Sequence, residues 1–254
     1  MIELDEEIIT TLRAVSINSA VRKKADELAQ LYPKRHELVG EKAFQNFVRL
    51  AIEKSFAYEL LADREVNGLL TMMYHLGSNF DKDPLFPWAR FEPATTTSND
   101  SFARLNTVYH KFIAQHKAIH GENNESMKIT LQQLLAMDFF DLAPLDTDKT
   151  ILDHLVKIFP QRAEAISRNI LSSELIPAAR SKSLGYALDP NYGPPLMAVL
   201  IFMHGTGFDT DPLFGPLCEI LEQRSTHNRE QILFSKYQQY ASTIFASDHA
   251  AAKG

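Results

Sequence analysis

The chain carries one phrase twice, as GSNFDKDPLF at positions 77–86 and as GTGFDTDPLF at positions 205–214. The copies begin 128 positions apart in a chain of 254 residues, so each has the same place in its own half. In each copy we expect the first glycine to end a helix and Asp-Pro to begin another. The aspartate side chain can accept hydrogen bonds from the free backbone N–H groups at a helix start. Proline has no backbone N–H, and in the first turn of a helix that donor is not required. The phrase therefore predicts a tandem duplication.

The sequence around the two copies supports the duplication. Positions 183–186 (SLGY) match positions 55–58 (SFAY) at the same offset of 128. Upstream, positions 158–160 (IFP) match positions 31–33 (LYP) at an offset of 127, which indicates that one residue has been gained between them. We predict a first helical repeat over 1–121 and a second over 126–254, packed together across a polar seam.

Apolar residues recur at spacings of three and four along most of the chain, as on the buried face of a helix. The clearest stripe runs from Glu41 and comprises Phe44, Phe47, Val48, Ala51, Ile52 and Phe56. Further helices are predicted over 6–31 (two helices, or one broken near Ser16), 101–119, 212–223 and 228–245. No apolar alternation persists long enough to indicate a strand. The fold class is therefore all-α, two similar bundles with about ten to twelve helices in total.

Local signals indicate where several of these helices begin and end. Asp63 and its counterpart Asn191 are predicted N-caps, since both side chains can accept backbone N–H groups. In the helix predicted over 101–119, Phe102 and Ile113 are expected to face inward. Positions 92–100 read as a polar loop, and the small and polar residues from Ala246 onward predict a frayed tail.

Composition limits the class of protein. Forty-five per cent hydrophobic and 23 per cent charged residues are typical of a globular chain, and no apolar run is long enough to span a membrane. The net charge of −6 argues against a general nucleic-acid binder and favours a basic partner. Cys218 is the single cysteine, which excludes an internal disulfide. The acidic start, unlike a secretory signal, predicts a cytoplasmic protein.

The paired aspartates of each phrase raise the question of a metal site. Two carboxylates two residues apart can share a hard cation, but neither copy has the further acidic ligands of a calcium loop. The simpler interpretation is that one aspartate caps and the other orders the turn. His116 and His120 share a helix face but lack the glutamate of a zinc-protease motif, so a solvated face is expected there. No residue is assigned a catalytic, cofactor-binding or metal-binding role.

Trp88 and Phe86 flank a proline beside the first phrase. They could form an exposed recognition knob, because aromatic residues concentrate binding energy at interfaces. The commoner outcome is that such residues belong to the core. For partner contact we nominate Trp88 together with the phrase aspartates Asp81, Asp83, Asp209 and Asp211.

The motif GxxFDxDPxxPWA at 77–89, with YPKR at 32–35 upstream, resembles a group of poorly characterised bacterial proteins encoded beside type VI secretion effector genes. The resemblance covers positions 31–89. The second half departs from it, because GPL at 215–217 replaces the PWA of the motif. Membership implies a cytoplasmic protein of contact-dependent bacterial competition, either an immunity protein or an accessory that loads a toxin.

The leading hypothesis is an immunity protein, not an enzyme, that covers the active or substrate-binding surface of a cognate toxin. The acidic balance would suit a basic nuclease toxin, and neither a nucleic acid nor a membrane is expected as a partner. One alternative is an effector adaptor or chaperone. A second is a helical metal-dependent enzyme that uses the aspartate pairs. The sequence leaves the oligomeric state open.

Overall fold

The structure, a computed structural model, describes residues 6–91, 101–224 and 227–251, with side chains from 15 to 244 within those ranges. Every regular element in them is helical and none is a strand, so the prediction of an all-α fold with about ten to twelve helices is confirmed. The first half contains α1 (Glu6–Leu31), α2 (Pro33–Val39), α3 (Glu41–Ala57), α4 (Asp63–Leu76) and α5 (Ser101–His120). Two short 3-10 turns, Phe80–Lys82 and Pro87–Ala89, lie between α4 and α5.

The second half follows the same order. It contains α6 (Glu125–Ala136), α7 (Asp148–Ile158), α8 (Pro160–Ile166), α9 (Arg168–Ile170), α10 (Ile176–Gly185), α11 (Gly193–His204), α12 (Gly215–Glu222) and α13 (Arg229–Ala251). A π-helical turn, Leu171–Leu175, joins α9 to α10, so that α9, this turn and α10 form one continuous helix over 168–185 and the helices of the described residues number twelve. At the offset of 128, α4 corresponds to positions 191–204 and α3 to positions 169–185, which α9, the π turn and α10 occupy. The shared offset agrees with the predicted duplication, whose origin stays a prediction.

The core is built around α11. All its residues from Gly193 to Met203 are buried, as expected of a helix that is apolar on every side. The buried apolar residues form one cluster that runs from Val21 in α1 to Ile244 in α13. Both halves therefore contribute to a single core.

Several helix boundaries agree with the prediction and others differ. Helix α1 ends at Leu31, because Pro33 disfavours helical geometry in the residue before it. The expected break near Ser16 is wrong, since α1 is continuous. In α3 the predicted stripe is buried except for Phe56, which is 52 per cent exposed. In α5, Phe102 and Ile113 are also exposed, contrary to the prediction.

Both predicted N-caps are wrong. Asp63 is the first residue of α4, where Glu65 accepts from the backbone N–H of Ala62 at 2.9 Å and Asp63 instead pairs with Lys24 at 2.6 Å. Before α11, Asp189 accepts from the N–H of Asn191 at 2.8 Å. In each case another carboxylate nearby in the sequence accepts a backbone N–H at the helix start. Several side chains compete for these N–H groups, and residue preference alone does not show which one binds them.

Two further predictions concern the helix expected at the Asp-Pro of each phrase and the frayed tail expected from Ala246 onward. Asp83-Pro84 begins a turn in the first half, whereas Asp211-Pro212 leads through a 3-10 turn into α12. The short helix predicted at Asp83 is therefore wrong. The frayed tail is also wrong as far as Ala251, where α13 ends. The predicted loop over 92–100 lies outside the described residues.

Among the described residues, no helix is both long and apolar enough to cross a membrane.

The two phrases cross at their first glycines. Gly77 and Gly205 follow α4 and α11 with φ of 98° and 90°, conformations that side chains other than glycine rarely adopt. A Cβ on Gly77 would lie 2.8 Å from the carbonyl oxygen of His204, and one on Gly205 would lie 2.5 Å from Oδ2 of Asp83. Glycine is required here for close approach as well as for conformation.

The substitution Gly77→Ala tests whether the two backbones approach closely at the crossing, and Gly40→Ala is its control. Gly40 also has a positive φ, of 83°, but a Cβ there would meet nothing within 4 Å. We expect Gly40→Ala to lower the free energy of unfolding by about 1–3 kcal/mol through backbone strain alone. Gly77→Ala should cost a further 1–3 kcal/mol, roughly the range for overpacking. Urea unfolding of both variants measures the difference, and equal losses would contradict the close crossing.

Candidate functional site

The second aspartate of each phrase binds across the crossing to the other phrase. Asp83 accepts from the backbone N–H of Leu85 at 2.9 Å and from that of Thr206 at 2.6 Å. Asp211 accepts from Leu213 at 2.8 Å and from Ser78 at 2.7 Å. Each carboxylate closes its own turn with one oxygen and the opposite turn with the other. Reciprocal contacts of this kind occur where a two-fold axis relates identical subunits, and here they relate the two halves of one chain.

Burial makes these bonds important. Both carboxyl groups are buried, and burial raises the pKa of Asp83 and of Asp211, while the backbone N–H bonds act in the opposite direction. Loss of either carboxylate would leave buried N–H groups without a partner, at a cost of about 1–3 kcal/mol each. The hydrogen bonds at the crossing therefore stabilise the packing of the two halves against each other.

The first aspartate of each phrase forms a second repeated network. Lys54 pairs with Asp81 at 2.5 Å, and the hydroxyl of Tyr58 donates to the same carboxylate. At the offset of 128, Lys182 pairs with Asp209 at 2.6 Å, and Tyr186 donates to that carboxylate at 3.0 Å. Burial together with the neighbouring carboxylate raises the pKa of both tyrosines. These networks fasten the end of one helix to the phrase in each half.

All the nominated partner-contacting residues are engaged within the chain. The four aspartates accept from the chain's own donors, and their side chains are largely buried. Trp88 is half-buried and packs against the core, while Phe86 is fully buried. The interpretation of these two aromatic residues as core is thus confirmed. A partner-binding role for the nominated residues stays a prediction.

An exposed apolar and acidic corner lies beside the first network. Phe56 is 52 per cent exposed and Leu61 is 69 per cent exposed, and both lie where the chain turns from α3 into α4. The exposed side chains of Glu53 and Glu59 flank them. We call these four residues the outer corner. Sequence reasoning placed Phe56 in the core because its spacing continues the buried stripe.

The equivalent corner of the second half has a different chemistry. Leu184 corresponds to Phe56 and is 82 per cent exposed. Ser181 and Ala187 stand in place of Glu53 and Glu59, while Arg180 precedes Leu184 by one helical turn. The two corners share a backbone position and an exposed apolar side chain. At the second corner, however, the exposed Asp189 replaces Leu61, and Arg180 pairs with Asp148.

Two buried arginines lie close to the crossing. The guanidinium of Arg35 lies 4.7 Å from the ring centre of Tyr74 and 5.1 Å from that of Phe214. The guanidinium of Arg162 lies 5.9 Å from the ring centre of Phe202 and 5.6 Å from that of Phe86. Arg35 also lies 5.7 Å from the ring centre of Tyr240, so each arginine packs against rings of both halves.

These arginines were missed as functional residues. The matched segments at 33–35 and 160–162, PKR and PQR, contained the signal. The spacing showed that an arginine follows each proline by two positions. Nothing in the spacing showed that both side chains point inward.

The arginines line a cavity of about 360 Å³ between the halves. Its polar wall is formed by Arg35, Arg162, His75, His116, His120 and His204. Three tyrosines and an asparagine also line it, and no aspartate or glutamate of the described chain does. We call this space the axial cavity.

Three histidines of the axial cavity form a row, in which His116 and His120 stack and His75 meets His116 edge to face. The rings of His116 and His120 lie 3.9 Å apart, and those of His75 and His116 lie 5.0 Å apart. The expectation of a solvated face is therefore wrong for His116 and His120, although His110 on the same helix is exposed. Burial, together with His116, lowers the pKa of His75 to about 3 and that of His120 to about 2.

Within the described ranges, no group of three or more His, Cys, Asp or Glu side chains is arranged to hold a metal ion. The thiol of Cys218 is half-buried, and burial raises its pKa to about 12. These groups therefore show no metal centre and no activated thiol in the part of the chain that is described.

No protein-family model, curated protein or solved structure matches this chain. The resemblance to proteins encoded beside type VI secretion effectors accordingly rests on the motif at 77–89 and its upstream segment.

His75 predicts a pH dependence of stability. Its pKa is lowered to about 3 in the folded chain, so the unfolded chain takes up the proton first as pH falls below about 6.5. Between pH 7 and pH 5 this histidine should cost up to about 2 kcal/mol of the free energy of unfolding. His75→Met, which introduces the residue found at equivalent position 203, should reduce the loss by that amount in urea unfolding at the two pH values.

His110→Met is the matched control, because His110 is exposed on α5 and lies outside the cavity. It should leave the pH dependence as in the unaltered chain. An equal loss of stability on acidification in His75→Met and the unaltered chain would contradict a buried neutral His75.

Proposed function

We propose that the chain is a cytoplasmic immunity protein that binds a basic cognate toxin and covers its active or substrate-binding surface. The observation that supports this proposal best is the outer corner, where two exposed apolar side chains lie between two exposed carboxylates. An apolar anchor with a charged rim is the usual composition of a protein interface. The net charge of −6 adds long-range attraction for a basic partner.

The choice between the two corners follows from their exposed side chains. The first presents Phe56 and Leu61, whereas Asp189 occupies the position of Leu61 in the second. A basic toxin is attracted by Glu53 and by Glu59, which stays exposed although Arg104 lies 3.9 Å away. At the second corner Arg180 is paired with Asp148 at 2.5 Å, so it adds little net charge. We therefore assign toxin contact to the first half, which is also the half that carries the motif resemblance.

The alternative role, an adaptor that carries the toxin to the secretion apparatus, would use the same kind of interface. Genetics separates the two. Deletion of an immunity gene makes the cell sensitive to its sister cells, whereas deletion of an adaptor gene abolishes secretion of the toxin.

The first test is co-expression with the toxin encoded by the adjacent gene. We expect the chain to restore growth and to co-elute with the toxin from a sizing column. Phe56→Arg should weaken the complex at least about 30-fold, the equivalent of a 2 kcal/mol hot spot, because it removes the apolar anchor and adds a repelling charge. Calorimetry or surface binding measures the dissociation constant.

Leu184→Arg is the matched control, since Leu184 occupies the same position in the second half and is more exposed. It should fold and bind as the unaltered chain does. A complex that Leu184→Arg weakens and Phe56→Arg leaves intact would overturn the choice of corner. Failure of the unaltered chain both to restore growth and to bind would overturn the immunity function.

A further inference from the structure

We propose that the axial cavity is a binding site for a small organic phosphate, with Arg35 and Arg162 as the phosphate-binding residues. Its volume of about 360 Å³ lies within the range of roughly 300–1,000 Å³ that small-molecule sites occupy. Two guanidinium groups line it without any acidic side chain of the described residues. The wall therefore presents positive charge to whatever enters.

Both arginines keep buried donors that no group of the described chain accepts. Nε of Arg35 and one terminal nitrogen, Nη2, of Arg162 have no hydrogen-bond partner. No carboxylate of the described residues lies within 4 Å of either guanidinium, so neither forms an ion pair. Buried charges without such partners are costly, and an oxyanion held in the cavity would offset part of that cost by its opposite charge.

The nearby aspartates cannot fill this role. Both oxygens of Asp83 and of Asp211 already accept backbone N–H groups at the crossing, at 2.6–2.9 Å. Neither aspartate lines the cavity. Their charges lie behind the wall and offset part of the cost of burying the arginines. Nε of Arg162 donates to the carbonyl of Phe202 and Arg35 hydrogen-bonds Tyr74, which leaves Nε of Arg35 and Nη2 of Arg162 without a partner.

A purely structural role for the arginines accounts for only part of their geometry. Stacking on Tyr74, Phe214, Phe202 and Phe86 uses the flat faces of the guanidinium groups. The N–H donors lie in the plane of the group and point outward from its edge. Stacking thus orients each group and leaves edge donors for an anion, which guanidinium can bind with two parallel hydrogen bonds.

The other residues that line the cavity indicate the chemistry of the part of the ligand that carries the phosphate. His75, His116 and His120 are neutral and can donate or accept, while Met127, Met203 and Ile244 contribute apolar surface. Leu31 also lines the cavity and is 60 per cent exposed, so the cavity reaches the surface at the end of α1. A phosphate ester with an apolar body matches both parts of this wall, and its double negative charge matches two guanidinium groups.

The test uses the full chain with phenyl phosphate as the probe and benzoate as its carboxylate counterpart, at constant ionic strength. Histidine side-chain signals in NMR report directly on the cavity. We expect phenyl phosphate to shift the signals of His116 and His120 in a saturable way and to leave those of exposed His110 unchanged. Calorimetry should show benzoate binding at least about tenfold more weakly, because it has fewer acceptors for charge-assisted bonds.

Two variants separate binding from folding. Arg162→Gln should weaken phenyl phosphate binding at least about tenfold, the loss of one charge-assisted hydrogen bond. Because a buried arginine also supports the fold, His120→Leu provides a second test at a half-buried position, and it too should weaken binding. Phe56→Arg should bind the probe as the unaltered chain does, so this result is independent of the toxin assignment.

Three results would overturn the proposal. One is the absence of a saturable shift of the cavity histidines in the unaltered chain. Another is an equal shift of His110, which would indicate nonspecific association of the anion. The third is benzoate binding as tightly as phenyl phosphate, which would reject a phosphate-specific site.

Discussion

The structure depends on a pair of reciprocal hydrogen bonds, from the N–H of Thr206 to Asp83 and from the N–H of Ser78 to Asp211. Each bond joins residues that are more than 120 positions apart. The partners meet only because glycine at positions 77 and 205 lets the two backbones approach closely. Since both carboxylates are buried, their bonds are strong and their loss is costly. The two halves are thereby held in one arrangement.

That arrangement creates a symmetric frame in which unlike residues occupy equivalent positions. Tyr74 corresponds to Phe202, and His75 to Met203. On the last long helices, His116 corresponds to Ile244. The axial cavity therefore has three of its four histidines on the side of the first half, while Met203 and Ile244 occupy the equivalent positions of two of them on the other side. A symmetric backbone with asymmetric side chains can hold a ligand that has a charged end and an apolar end.

The same divergence separates the two surfaces. Phe56 and Leu184 project from equivalent helix ends, next to equivalent Lys–Asp–Tyr networks. Their neighbours differ, since Ser181 and Ala187 replace Glu53 and Glu59, and Asp189 replaces Leu61. The aspartates of the phrase hold these corners in shape from inside. Binding chemistry at the surface can then change without disturbing the residues that build the corner.

The sequence by itself determined the helical class, the repeated phrase, and most helix boundaries set by proline and glycine, because these depend on local geometry and on apolar spacing. It also showed an arginine at matched positions 35 and 162. Only the tertiary structure decided that Phe56 is exposed, that Asp83 and Asp211 exchange partners, and that the arginines face one cavity with His75, His116 and His120. Those outcomes depend on contacts between distant segments, and spacing along one helix does not reveal which neighbour covers it.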